Sequence, residues 1–286
     1  MEYAILGGTN RKVSRLGFGG ATAGLKNYLE PYDPASPDSF HDILAAIDMA
    51  LALGITYFDT APGYGKGASE RMFGAALDGV NPDSIFLATK VGFGDRDHVL
   101  RSLGQSLRNL RWDSIDLLQI HGGSISRDLE SSILEPNGML AGLIEAKEAG
   151  LVKHIGFTTE DNNDVVYNLI RSGSFDTIQL CYNLLFQHPY DPIRPFGSML
   201  AAEEKGLGII TMRTTTSGTF QRWIKQVNPA NTFDYARALI QFVLSNPLVD
   251  VALVGMRTAA LVQENVAVCD DLAGRIGLEQ LHNRYV

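Results

Sequence analysis

The sequence predicts an α/β protein, specifically a (β/α)8 TIM barrel that is preceded by an N-terminal β-hairpin. Eight strand-like segments alternate with helical segments along the chain of 286 residues. Several of the strand segments are continuous apolar runs, such as IFLAT, GIIT and VALV, which are typical of parallel strands buried on both faces. Eight such units in a chain of this length favour one closed barrel, because (β/α)8 barrels typically occupy about 250 residues.

Each element is predicted from its local pattern. Two short segments, Tyr3–Leu6 and Arg11–Val13, flank the turn sequence GGTN and predict the hairpin. The predicted barrel strands are, in chain order, Leu16–Gly19, Ile55–Asp59, Ile85–Lys90, Ser114–His121, Lys153–Thr158, Thr177–Tyr182, Gly208–Met212 and Val251–Val254. The predicted helices are Asp38–Leu53, Ala68–Leu77, Arg96–Leu110, Met139–Ala149, Asn163–Arg171, Gly197–Lys205, Phe233–Asn246 and Ala259–Val268. Phe40, Ile43 and Ile47 illustrate the helical spacing of apolar residues.

An open, doubly wound sheet is the alternative architecture. Its dinucleotide-binding fingerprint GxGxxG is incomplete here, since the segment Gly17–Thr22 ends in threonine where the third glycine belongs. We therefore expect a single barrel domain over residues 1–286.

Composition and charge exclude several classes of protein. The net charge of −8 leaves no basic surplus for binding nucleic acid or an anionic membrane. The sequence contains no run of 18 apolar residues and no hydrophobic signal segment at its start, so we expect a cytoplasmic location. The two cysteines, Cys181 and Cys269, are expected to be buried and unpaired. The sequence indicates no particular oligomeric state.

Four polar residues follow or end neighbouring predicted strands. Asp59 ends the second barrel strand, with Tyr64 in the loop after it, while Lys90 and His121 end the third and fourth strands. Each residue alone has an ordinary explanation as a cap, a turn or a solvated side chain. Because catalytic groups of (β/α)8 barrels lie at the C-terminal ends of strands, we expect the four side chains to converge there.

The chemistry of this set is proton transfer to and from oxygen. A tyrosine hydroxyl is a weak acid, and a nearby ammonium such as that of Lys90 lowers its pKa. Asp59 would hold Lys90 in its charged form, and His121 could orient a carbonyl group or share the proton. Tyr64 would then act as the general acid or base. No metal site is expected, because none of the six histidines lies four residues from another.

At these residues the sequence resembles the aldo-keto reductases. The matching segments are LGFGG (16–20), GITYFDTAPGYG (54–65), LATK (87–90), SLRNLRWDSIDLLQIHG (106–122), GLVKHIGFT (150–158), QLCYN (179–183) and GMRT…QEN (255–265). The resemblance covers nearly the whole chain. It implies a (β/α)8 barrel that uses a nicotinamide cofactor, with the family's catalytic tetrad at Asp59, Tyr64, Lys90 and His121.

The resemblance also implies where the cofactor binds, extended across the barrel mouth. The implied cofactor-binding residues are Gly19, Gly20, Asp59, Thr158, Thr159, Gln179, Met212, Arg213, Thr214, Thr215, Gly218, Gly255, Met256, Arg257, Glu264 and Asn265. Gln179 stands where the family hydrogen-bonds the carboxamide. Thr158 and Thr159 replace the Ser-Asn pair that is common after strand five, and Met212 replaces the aromatic ring that many members place under the nicotinamide.

The predicted phosphate and adenosine contacts favour NADP(H), with NAD(H) as the alternative. Arg213–Thr215 could hold the pyrophosphate, with a close backbone approach at Gly218. Glu264 and Asn265 match the family's adenine-contacting pair. Arg257 lies where a cation could meet a 2′-phosphate, although Leu261 occupies the position where many NADPH-dependent members have Arg or Gln.

The leading functional hypothesis is an oxidoreductase that acts on a small-molecule carbonyl or alcohol substrate, namely an aldehyde, ketone or sugar. A catalytically weak nicotinamide-binding sensor or regulatory subunit is a second hypothesis, and a lyase forming a Schiff base on Lys90 is a third. Substrate selection is expected to come from the loops 21–37, 122–137 and 214–230 and from the tail after Val268.

Overall fold

A computed structural model describes residues 1–190 and 196–278. Its strands are β1 (Tyr3–Ile5), β2 (Lys12–Ser14), β3 (Leu16–Gly19), β4 (Tyr57–Asp59), β5 (Phe86–Val91), β6 (Ile115–Ile120), β7 (Val152–Thr159), β8 (Thr177–Cys181), β9 (Gly208–Met212) and β10 (Val251–Val254). Its α-helices are α1 (Ala21–Gly24), α2 (Pro37–Ala52), α3 (Ala68–Ala76), α4 (Arg96–Leu110), α5 (Arg127–Leu134), α6 (Met139–Glu148), α7 (Asp164–Arg171), α8 (Ser198–Glu204), α9 (Thr219–Val227), α10 (Ala236–Leu244) and α11 (Ala259–Asp270).

Strands β3 to β10 form a closed barrel in which each strand is parallel to its neighbours. The barrel closes where β10 pairs with β3, with Ala252 opposite Leu16. Strands β1 and β2 form a separate antiparallel hairpin, with Tyr3 opposite Ser14. The predicted fold class is therefore confirmed, including the hairpin.

The core is divided between the inside and the outside of the barrel. Alternate residues of a strand point to opposite faces, so Phe58 packs with the helices while Tyr57 points inward. Hairpin residues Leu6 and Val13 join the inward-pointing cluster. The other members of this inner cluster are Tyr57, Phe86, Ala88, Leu117, Ile210, Val251 and Leu253. The same alternation directs Asp59 and Lys90, two residues beyond Tyr57 and Ala88, into the barrel above this apolar layer.

Three short helices lie within segments that were predicted as loops, namely α1, α5 and α9. Helix α5 begins after Ser126, whose hydroxyl accepts a hydrogen bond from the Leu129 amide at 3.3 Å. The predicted helix Phe233–Asn246 begins later, at Ala236, after a turn in which the Asp234 carboxylate accepts the Ala236 amide at 2.9 Å. Side-chain capping fixes the start of α5, whereas α1 and α9 begin after Gly20 and Gly218 without a side-chain cap.

The two cysteines are buried and unpaired, as predicted. Burial raises the pKa of the Cys181 thiol to about 11, so this side chain behaves as a small apolar residue. Among residues 1–190 and 196–278, no helix is both long and apolar enough to cross a membrane. Residues 279–286 of the tail that was expected to help select the substrate lie outside the described residues.

Candidate active site

The structure brings Asp59, Tyr64, Lys90 and His121 together at the C-terminal end of the barrel. The fully buried Lys90 ammonium donates hydrogen bonds to the Asp59 carboxylate and, at 2.9 Å, to the carbonyl oxygen of Thr60. The same ammonium nitrogen lies 5.2 Å from the centroid of the Tyr64 ring. The ring of His121 stands perpendicular to that of Tyr64, with 5.5 Å between the centroids. The predicted convergence of the four side chains therefore agrees with their positions.

A tight turn after β4 places Tyr64 over the barrel mouth. Gly65, Lys66 and Gly67 all have positive φ, at 66°, 53° and 80°, a region that glycine adopts without steric cost. A Cβ added to Gly65 would lie 2.1 Å from the carbonyl oxygen of Gly24. This close approach of two backbone segments fixes the position of the tyrosine next to them.

The charges at the site are set by burial and by the Asp59–Lys90 pair. Burial alone would lower the pKa of Lys90, but the neighbouring Asp59 and Tyr64 raise it above its ordinary value. Burial raises the pKa of Asp59, and the Lys90 ammonium opposes that shift. We therefore treat the pair as an ammonium and a carboxylate that neutralise each other, since an isolated buried charge would be costly.

The pKa of Tyr64 differs from the sequence-based expectation. Lys90 does lower it, but burial of the phenol has the larger effect, so the net pKa is raised above its ordinary value. The sequence could not show this, because the shift depends on how completely the ring is enclosed. Tyr64 is consequently a protonated hydrogen-bond donor at neutral pH.

His121 is neutral at physiological pH. Burial and the nearby Lys90 ammonium lower its pKa from 6.5 to about 4. A neutral imidazole carries one N–H donor and one acceptor nitrogen, so it can hold an oxygen atom without adding charge.

This depressed pKa predicts a specific pH dependence of stability. Between pH 6.5 and about 4 the unfolded chain binds a proton on His121 and the folded protein does not, so the free energy of unfolding falls as the pH decreases through this window. We expect the variant His121→Asn to lose less stability than the wild type over the same window. Urea titrations at several pH values measure the difference, and parallel curves for the two proteins would contradict the assignment.

A cavity of about 320 Å³ lies above the four residues. Eleven of the residues singled out from the sequence line it, namely Gly19, Asp59, Tyr64, His121, Thr158, Gln179, Met212, Arg213, Thr214, Thr215 and Gly255. The wall is completed by residues of all three long loops and by Glu160 and Leu253. Its volume is near the lower end for ligand pockets, roughly 300–1,000 Å³.

The other predicted cofactor residues lie outside this cavity. Gly20 donates its amide to the Asp59 carbonyl oxygen at 2.7 Å, and the Thr159 hydroxyl accepts the Asp161 amide at 3.0 Å. Met256 is fully buried. Glu264 and Asn265 lie on α11, exposed and buried respectively, and Gly218 precedes α9 with a φ of 69°.

Two predicted hydroxyl contacts already have partners within the protein. The Thr158 hydroxyl donates to the carbonyl oxygen of Gly122 at 2.6 Å and accepts the amide of the same residue at 2.9 Å. The Thr214 hydroxyl donates to the Leu253 carbonyl oxygen at 2.7 Å. Both side chains therefore position the cavity wall, and a ligand would have to share or replace these bonds.

The structure adds two polar residues that the sequence did not single out. Gln119 is completely buried, and its side-chain amide donates to Asp59 at 3.3 Å and to Gln179 at 3.1 Å. These bonds join the Asp59–Lys90 pair to Gln179 in the cavity wall. Glu160 lines the cavity and forms an ion pair with Arg213. Gln119 could have been found, because it lies on β6 two residues before His121, and alternate residues along a strand share a face. The Glu160–Arg213 pairing spans 53 positions and left no local signal.

Comparison with known proteins identifies relatives of this chain and of its fold. The family model "Aldo/keto reductase family" matches residues 15–239. An L-galactose dehydrogenase of Arabidopsis thaliana is 27% identical over 311 aligned residues, which cover 98% of this chain and 91% of the relative. An aldo-keto reductase from Bacillus halodurans, solved in its holo form, superimposes with a TM-score of 0.78 at 22% identity, covering 99% of this chain and 94% of the other. An aldo/keto reductase from Klebsiella pneumoniae, solved with NADP and acetate, gives a TM-score of 0.75 at 20% identity, covering 100% and 96%.

Proposed function

The chain belongs to the aldo/keto reductase family of oxidoreductases, and on that premise we propose that it interconverts a carbonyl compound and its alcohol with a nicotinamide cofactor. NADP(H) is the proposed cofactor in preference to NAD(H). The observation that carries this proposal is the position of Tyr64, a protonated phenol at the cavity floor between Lys90 and the neutral His121.

The residues around the cavity fit such a cofactor. Gln179, which lines the wall, offers a side-chain amide that can pair with a carboxamide. Arg213, also in the lining, and Arg257, beyond it, offer guanidinium groups for phosphates. The Nη2 of Arg257 is buried without a hydrogen-bond partner, as expected of a donor that awaits a ligand. When bound, the nicotinamide supplies or accepts the hydride. The Klebsiella relative, solved with NADP, supports this choice of cofactor.

The side chains of the site would handle the proton. In the direction of reduction, Tyr64 donates its hydroxyl proton to the oxygen that becomes an alcohol. The Lys90 ammonium stabilises the resulting phenolate, and Asp59 keeps that ammonium in place. His121 contributes a neutral N–H donor that orients the substrate oxygen beside Tyr64. In the direction of oxidation, the phenolate of Tyr64 takes the proton back.

The two alternative functions predict different observations. A Schiff-base lyase needs a neutral lysine amine, whereas Asp59 and Tyr64 raise the pKa of the buried Lys90 despite its burial. A nicotinamide-binding sensor would hold the cofactor without turning over substrate.

The proposal is tested in two steps. Fluorescence titration with NADPH and with NADH measures binding and preference. The preferred cofactor is then assayed with aldehydes and ketones, and its oxidised form with sugars and other alcohols, by following nicotinamide absorbance. Turnover that depends on Tyr64 supports the proposal. Binding without turnover across the panel would favour the sensor, and absence of binding would refute both.

A further inference from the structure

Arg257 is held beside the cavity by the loop that follows β3 and α1. Its residue surface is 8% exposed. Its Nε donates to the carbonyl oxygen of Thr22 at 2.9 Å, and its Nη1 donates to the Glu30 carboxylate at 2.9 Å. The guanidinium carbon lies 4.0 Å from the centroid of the Tyr32 ring. Its third nitrogen, Nη2, is buried without a hydrogen-bond partner, so the cation is oriented but not saturated.

This cation adjoins the proposed cofactor cavity. Thr22, which accepts the hydrogen bond from Nε, lines the cavity together with Gly255, two residues before Arg257. Leu29, the neighbour of Glu30, also lines this cavity. An anionic group that extends from the cavity past Gly255 therefore meets the guanidinium and the Glu30 carboxylate at the same place.

The segment 26–33 presents Glu30 from a defined turn. Lys26 pairs with Asp33 at 2.7 Å, and the Tyr32 amide donates to the Asn27 side chain at 2.9 Å. The Tyr28 hydroxyl lies 3.1 Å from the Ser217 hydroxyl, which joins this segment to the loop after β9. Glu30 itself is mostly exposed, with 68% of its side-chain surface accessible. Its carboxylate can leave at low cost, whereas Arg257 is fixed by Thr22 and Tyr32.

We propose that Glu30 determines cofactor specificity by competing with the 2′-phosphate of NADP(H) for Arg257. This inference rests on the proposed function. A 2′-phosphate carries more negative charge than a carboxylate and offers several acceptor oxygens, so it can pair with Nη1 and with the free Nη2. It must first displace Glu30, or suffer repulsion from it. An unphosphorylated ribose meets no such repulsion, so Glu30 reduces the preference for NADP(H) that Arg257 alone would create.

The test compares Glu30→Gln with Asp38→Asn, which removes the same charge from an exposed residue in the first turn of α2 and leaves the turn 26–33 intact. Calorimetry measures the affinity of each protein for adenosine 2′,5′-bisphosphate and for adenosine 5′-monophosphate, which cannot react, and fluorescence gives the affinities for NADPH and NADH. In Glu30→Gln, the affinity for the 2′-phosphorylated ligand divided by the affinity for its unphosphorylated counterpart should rise by about fivefold. This is the size expected for removing one exposed partner of an ion pair. Asp38→Asn should leave this ratio unchanged.

A second variant checks that Glu30 acts through Arg257. In Arg257→Met the ratio of affinities for 2′-phosphorylated and unphosphorylated ligands should fall. Adding Glu30→Gln to this variant should no longer raise the ratio. Thermal unfolding shows whether Arg257→Met is folded. If it is not, the comparison of Glu30→Gln with Asp38→Asn decides alone. Equal ratios in that pair, or an undiminished effect without Arg257, would overturn the inference. Failure of every probe to bind the wild type would instead overturn the proposed function, and the inference with it.

Discussion

Tyr64→Phe is expected to lower kcat for carbonyl reduction by about 10²- to 10⁴-fold, the usual contribution of a positioned general acid. The substitution removes the hydroxyl and keeps the ring that packs against His121 and Lys90. Cofactor affinity should therefore change little, which separates a lost proton donor from a lost binding site. Steady-state assays together with fluorescence titration measure the two effects.

Tyr57→Phe is the matched control for this substitution. Tyr57 lies in the same barrel, fully buried, and its hydroxyl has no hydrogen-bond partner. Removing a buried, unpaired hydroxyl costs nothing in hydrogen bonds, so this variant should keep wild-type kcat and equal or greater stability. Full turnover by Tyr64→Phe with every substrate of the wild type would eliminate Tyr64 as the proton donor.

The raised pKa of Tyr64 predicts a pH dependence of the reaction. Reduction requires the protonated phenol, so kcat/KM should stay level through neutral pH and decline only above about pH 10, the ordinary pKa of tyrosine. A decline that begins near neutral pH would show that another group donates the proton.

The second large effect concerns the buried ion pair. Lys90→Met is expected to lower the free energy of unfolding by about 3–5 kcal/mol, the usual cost of leaving one member of a buried pair without its partner. Asp59 would then lie buried with only the long contact from Gln119 at 3.3 Å. Urea denaturation at neutral pH measures the loss, and kcat should fall with it because the phenolate of Tyr64 loses its stabilising charge.

The double variant Asp59→Asn/Lys90→Met distinguishes this cause from a simple loss of packing. Asparagine has nearly the same shape as aspartate without the charge, so the double variant should be more stable than Lys90→Met alone. Lower pH should also reduce the deficit of Lys90→Met, because a carboxyl whose folded pKa is raised gains stability as it becomes protonated. A double variant no more stable than the single one would rule out the unpaired carboxylate as the cause.

The positions of Asp59, Lys90 and His121 could be predicted because these residues lie at or directly after the ends of strands. Asp59 lies two residues beyond Tyr57, on the same face, and this relation holds in any parallel barrel. The pKa of Tyr64 could not be predicted in the same way, since proximity to Lys90 and burial have opposite effects and their balance requires the three-dimensional enclosure. The sequence therefore supplied the residues and the structure supplied their charge states.

The predicted cofactor-binding residues likewise divide into contacts that the sequence indicates and contacts that only the structure reveals. Met212, Gln179 and Gly255 line the cavity as their places in the sequence suggested. Arg257 was also expected near a phosphate, but its partner Glu30 is 227 positions away in the chain. Contacts of that kind are made by loops whose paths depend on the whole fold, and no local pattern specifies them.

The pairing of β3 with β10, which we call the seam of the barrel, affects how the protein becomes functional during folding. Strand β3 pairs with β10, so the sheet cannot close until Leu16 pairs with Ala252. Pairings of such high sequence separation are slow to form, because chain entropy is lost before any contact is gained. During synthesis β3 emerges early, with one edge unsatisfied until the last strand arrives, and an open strand edge can pair with other chains. Gly19 and Gly255 flank this seam in the cavity wall, so the ability to bind a ligand should appear only with the final step of folding.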